Sequence, residues 1–180
     1  MLAVVVVSDN NRTAPVVGHP WLAQGYVMGA KFMQEYLRKQ VVVTDEKTFR
    51  IFKSSKMFKN ALEIVILLDD REQGRRLSCG TVPMTKLERG ENELAIEMAK
   101  TKSPSGDVVV AGGASLLNYA IPKCDRLYHG RMIFDWRKKN CAAPLNAGET
   151  IKTIEGFYKM SHVTLVDLDE WFTMSGYVRE

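Results

Sequence analysis

Four short runs of apolar, mostly β-branched residues constrain this chain more than any other feature: Leu2-Ala3-Val4-Val5-Val6-Val7, Val41-Val42-Val43-Thr44, Ile64-Val65-Ile66-Leu67-Leu68 and Val108-Val109-Val110-Ala111. None of them alternates polar with apolar residues. Each therefore suits a strand covered on both faces, as in a parallel sheet flanked by helices. All fall far short of the ~20 apolar residues a membrane span needs. Strands are predicted over residues 2–7, 40–44, 63–68 and 107–111, with a fifth over 126–134 and a short one near 77–82.

The segments between the strands read as helices and turns. Tyr26, Ala30, Met33 and Leu37 recur at i, i+4, i+7 and i+11, which predicts a helix. Residues 45–56 and 93–100 predict two more, the latter with Asn92 as its cap and Ser103-Pro104-Ser105-Gly106 as its stop. A fourth helix is expected over 115–120, directly after Gly112-Gly113. Residues 162–168 and 171–178 predict a terminal hairpin about Asp169-Glu170. Residues 9–20 hold Pro15 and Pro20 and no periodicity. A loop of about a dozen residues is long for a compact domain and more often functional than not. The whole predicts a single α/β domain over residues 1–180, with a mixed, mostly parallel central sheet, helices on both faces and a C-terminal β-hairpin.

A net charge of +4 suits an anionic small molecule such as a nucleotide and is too small to imply nucleic-acid binding. Cys79, Cys124 and Cys141 are odd in number and widely spaced, which fits free thiols in a reducing cytoplasm. The apolar start reads as a buried strand, not a signal peptide, and no membrane association is expected.

The sharpest chemical signal is Val108-Val109-Val110-Ala111-Gly112-Gly113-Ala114-Ser115-Leu116. A buried strand that ends in two glycines and opens a helix leaves backbone N–H groups where an anion can approach, and glycine admits a phosphate close to the main chain. The plainer alternative is a tight turn and nothing more. The segment is neither a GxGxxG fingerprint nor a P-loop. His19, at the end of the long loop, is a candidate acid/base group, although a loop histidine is more often merely exposed. His129 and His162, inside strands, read as structural. With no HxxxH, no GxSxG and no closely paired cysteines, neither a metal site nor a hydrolase triad is expected.

At these residues the chain resembles the dihydrofolate reductase family, over nearly its whole length. Residues 2–7 are similar to that family's first strand, and Pro20-Trp21 to its Pro-Trp pair after the mobile active-site loop. Val41-Val42-Val43-Thr44 with Lys47-Thr48-Phe49 is similar to its second strand and the turn beyond. Ala111-Gly112-Gly113-Ala114-Ser115-Leu116, followed by Ile121-Pro122 and Asp125-Arg126-Leu127-Tyr128, resembles its Gly-Gly motif with the helix and strand that follow. A second alignment would set Val27-Met28-Gly29-Ala30-Lys31-Phe32 against the second strand, at the cost of the helix before it.

The resemblance implies an NADPH-dependent reduction of dihydrofolate or a related pterin, serving one-carbon metabolism. It implies Thr48, Gly112, Gly113, Ala114, Ser115 and Leu116 along the cofactor, and Val5, Val6, Phe32 and Ala111 at the substrate. Trp21 and Tyr26 fall at the catalytic positions. The family's carboxylate a few residues past the tryptophan is replaced by Tyr26. The next acid, Glu35, shares a helical face with Met28 but lies about 10 Å further along the axis than Met28. The family's threonine in the fifth strand falls near Gly130. The turn's glycine is replaced by Asp45, and Glu46 brings negative charge where the family often has a base. Three functions follow as expectations: a reductase with an altered proton donor, a reductase for another substrate, or a binding or structural protein that has kept the fold and lost catalysis. Acid/base help contributes roughly 10²–10⁴-fold, so its loss slows such an enzyme without abolishing hydride transfer.

Overall fold

The computed structural model of the chain describes residues 1–9, 34–52, 56–69, 76–132, 157–165 and 172–179. In chain order the elements are β1 (Leu2–Asp9), β2 (Val41–Asp45), α1 (Glu46–Phe52), β3 (Glu63–Leu68), β4 (Met84–Glu88), α2 (Asn92–Lys102), β5 (Val108–Val110), α3 (Ala114–Ala120), a 3-10 turn (Ile121–Lys123), β6 (Arg126–Met132), β7 (Phe157–Leu165) and β8 (Phe172–Arg179). The strands form one eight-stranded sheet in the order β4-β3-β2-β5-β1-β6-β8-β7. Strands β4 through β6 run parallel to their neighbours, while β8 joins β6 antiparallel and pairs with β7 as a hairpin. The mixed, mostly parallel sheet and the closing hairpin read from the sequence are both present.

The reason for the unbroken apolar runs is visible in how they divide. Ala3, Val42, Ile64, Ile66, Leu68, Val109 and Ala111 face one cluster, with Leu37, Phe49, Phe52, Met57 and Phe58 over them. Leu2, Val4, Val41, Val43, Val65, Leu67, Val108 and Val110 face the opposite cluster, under Ala95, Ile96 and Ala99 of α2 and Leu116, Leu117 and Ala120 of α3. Successive residues of a strand point to opposite faces, so a strand covered twice must be apolar at every position. Burial of each valine, leucine, isoleucine, methionine or phenylalanine among them contributes about 1.5–3 kcal/mol relative to exposure.

Two local expectations are corrected. The strand predicted near 77–82 is only a bridge between Cys79 and Val82, and the strand itself is β4, Met84–Glu88. Its Lys86 and Glu88 disguised it. As an edge strand, half exposed along its length, β4 can carry charges that a central strand cannot. Asn92 does not cap α2. Glu91 takes the cap position and Asn92 is the first helical residue, while the Glu91 carboxylate accepts the Glu88 N–H (2.9 Å). Leu94 is exposed, and the face turned to the sheet is the smaller Ala95, Ile96 and Ala99.

Candidate functional site

Connections leave β2 and β5 in opposite directions. After β2 the chain runs to β3 on one side, and after β5 it runs past β1 to β6 on the other. Because β2 and β5 are parallel neighbours, this divergence leaves a crevice beyond their carboxyl ends, the place where open α/β sheets bind ligands. One wall is the turn Thr44-Asp45-Glu46-Lys47-Thr48 and the other is Ala111-Gly112-Gly113-Ala114. The Ala111 N–H donates to the Val43 carbonyl at 2.9 Å, which carries the ladder up to the rim and fixes the two turns relative to each other.

Asp45 stands at the mouth of this crevice. Its Oδ1 accepts the Thr48 backbone N–H (2.9 Å), the geometry of an N-cap for α1. Its Oδ2 accepts the Thr48 hydroxyl (2.9 Å) and, from across the crevice, the Gly113 backbone N–H. The carboxylate lies so close to the glycine turn that a Cβ at Gly113 would be 2.8 Å from Asp45 Oδ2, and one at Gly112 3.0 Å from it. Among the described residues, its partners are neutral donors and no lysine or arginine pairs with it.

Glu46 is directed inward. It is buried, its Oε1 takes the Arg50 guanidinium (2.6 Å to Nη2, 2.9 Å to Nε), and its Oε2 accepts the Asp69 N–H at 3.0 Å, which ties α1 to the end of β3. The negative charge expected to face a ligand at this position is instead held by an arginine one turn along.

Of the residues singled out from the sequence, Thr48, Ala111, Gly112, Gly113, Ala114 and Ser115 do come together at the crevice. Ala111 and Thr48 are buried, Gly112, Gly113 and Ala114 are partly covered, and Ser115 is exposed. Leu116 sits in the same turn of α3, but its side chain is buried in the core below, and Leu116 Cδ2 would be 2.6 Å from a Cβ on Gly112. Val5 and Val6 lie in the carboxyl half of β1, in register with Tyr128 and His129 of β6. Gly130 pairs with Val7 on one side and Met174 on the other. His19, Trp21, Tyr26 and Phe32, residues 10–20 of the expected loop, and Cys141 lie outside the described residues, while Asp9, expected to open that loop, ends β1. Glu35 faces solvent beside Arg38, 3.7 Å away.

The sequence reading missed two features of this end of the molecule. It marked Asp45 as a departure but found it no partner, although an Asp three residues before Thr48 at the head of a helix is a capping signature. It also passed over Tyr36, whose ring packs against Tyr128 with centroids 4.7 Å apart. Burial, then the neighbouring Tyr128, push the Tyr36 phenol well above its ordinary range. Elsewhere, burial raises the Cys124 thiol to about 12. Neither Cys79 nor Cys124 forms a disulfide. Among the described residues no cluster of His, Cys, Asp or Glu has the makings of a metal site, and no helix is long and apolar enough to cross a membrane.

The chain superposes on a solved structure of dihydrofolate reductase from Enterococcus faecalis, complexed with NADP(H) and RAB-propyl, with a TM-score of 0.66 over 100% of this chain and 96% of that one. The fold is that of dihydrofolate reductase. Sequence identity across the superposition is 18%, so the likeness reaches the fold alone. No family model matches the chain, and no curated protein does. The glycine turn, as it stands, does not fit a dinucleotide phosphate at Gly113, because the N–H that would receive it is already given to Asp45.

Proposed function

We propose that this chain, acting as one domain over residues 1–180, is a cytoplasmic reductase of the dihydrofolate reductase type. It would use NADPH and act on dihydrofolate or a related pterin. The observation that carries this reading is the meeting of the Ala111-Gly112-Gly113 turn and Thr48 in the crevice between β2 and β5, on a sheet superposable along its full length on a dihydrofolate reductase. The reading requires the Asp45 carboxylate to leave Gly113 when a cofactor enters.

One observation favours a second reading. A carboxylate closing the glycine turn is what a protein that has kept the fold and given up the cofactor would show, and the chain would then be a binding or structural module. The deciding experiment is NADPH oxidation by the purified protein with and without dihydrofolate. Turnover that depends on dihydrofolate and is abolished by a tight antifolate supports the reductase. Saturable NADPH binding without turnover redirects the search to another substrate, and the absence of both leaves the module.

A further inference from the structure

Asp45 and Glu46 are consecutive carboxylates at the head of the same helix, yet they are treated oppositely. Glu46 has a guanidinium and a backbone N–H, and its charge is spent inside the fold. Asp45 has two donors from Thr48 and one from the far wall of the crevice. Those three donors are a hydroxyl and two main-chain N–H groups, the kind of set that receives a phosphate oxygen. They are all satisfied by one side chain of the protein itself.

We propose that Asp45 is the residue that sets what this crevice accepts: its carboxylate is a built-in anion that competes with a ligand phosphate for the Gly113 N–H and Thr48. The inference rests on the reading of the crevice as the cofactor site and adds a term to it. A phosphate entering here must displace Asp45 from Gly113 and then lie beside its charge. The first costs the hydrogen bonds already made, and the second is a like-charge contact at a few ångströms, unrelieved by any paired cation among the described residues. The contact therefore weakens phosphate-bearing ligands selectively and leaves a neutral ring system unaffected.

The test is a fluorescence titration of NADPH into the full chain and three variants, with inorganic pyrophosphate as a second probe and circular dichroism to establish folding. Asp45→Gly removes both the charge and the competing acceptor and should bind NADPH about tenfold or more tightly than the parent. Asp45→Asn keeps the cap's shape without the charge and should fall between the two, and it stands in if the glycine variant does not fold. Glu46→Gln alters a charge already neutralised by Arg50 and should gain nothing. Pyrophosphate should follow the same order. Equal NADPH affinity in parent and both Asp45 variants would overturn the inference and leave the cofactor reading standing. A gain in Glu46→Gln matching that in Asp45→Asn would also overturn it, because the effect would then be general charge. Binding of neither probe to any variant would bring down the cofactor reading together with the inference.

Discussion

The two turns that face each other across the crevice are built on different principles. The turn after β5 is held from below by packing: Leu116 is buried against the sheet, and its side chain lies under Gly112 with no room for a Cβ between them. Its Ala111 N–H continues the ladder to Val43, and its Gly113 N–H reaches across the crevice to Asp45. The turn after β2 is held by polar contacts, with Asp45 capping α1 and Glu46 tying it to Arg50 and Asp69. One turn supplies N–H groups and the other supplies the acceptor, so the crevice is self-complementary. On the proposed reading, a ligand and this internal contact would compete for the same atoms, and Asp45 would decide between them.

If the β5 turn stands on packing, its apolar anchor should be the most costly to lose. Leu116→Ala is expected to destabilise by about 2–5 kcal/mol in chemical denaturation, the range for a leucine cut out of a core. Gly112→Ala should follow at about 1–3 kcal/mol, because its Cβ overlaps Leu116 Cδ2 and the buried side chain must shift to admit it. Combined, the two changes should cost less than their sum, since the alanine at 116 clears the space the new methyl needs. A strictly additive double variant would mean that Leu116 and Gly112 do not share the space beneath the turn.

The β2 turn should respond to loss of hydrogen bonds instead. Glu46→Ala leaves the Asp69 N–H and the half-exposed Arg50 without their acceptor and is expected to cost about 1–2 kcal/mol, with little change in the denaturant m-value. An effect as large as that of Leu116→Ala would mean that both turns depend on core packing.

The effect that vanishes at neutral pH lies away from the crevice and is a pH dependence in alkali. Burial holds the Cys124 thiol at about 12 in the folded chain, against an ordinary value of 9.0. Above about pH 9 the unfolded chain loses this proton while the folded chain keeps it, so stability is full below that value and declines as pH rises toward 12. The raised Tyr36 phenol acts with the same sign at higher pH. Denaturation midpoints should fall across this range, and Cys124→Ser should flatten the first part of the decline.

The sequence carried the fold well where tertiary burial left a one-dimensional trace. Central parallel strands are apolar at every position, and β1, β2, β3 and β5 were each legible within a residue or two. The edge strand β4 was not, because a strand exposed on one side has no continuous run to betray it, and its lysine and glutamate read as loop. The crevice was legible in its parts: the glycine turn, Thr48, and Asp45 as a substitution. What could not be read was the contact between Asp45 and Gly113, 68 residues apart. That contact depends on β2 and β5 being neighbours, and strand order is a property of topology that residue patterns do not state. The inward turn of Glu46 escaped for a related reason, since its Asp69 partner follows directly on β3.

The most direct test of the account is the Gly113 amide proton, followed by nuclear magnetic resonance in the parent and in Asp45→Gly, each before and after NADPH is added. The account predicts a Gly113 amide that is protected from exchange in the free parent, exposed in free Asp45→Gly, and protected again when NADPH binds the variant. A Gly113 amide that exchanges alike in both free proteins and does not respond to NADPH would contradict it.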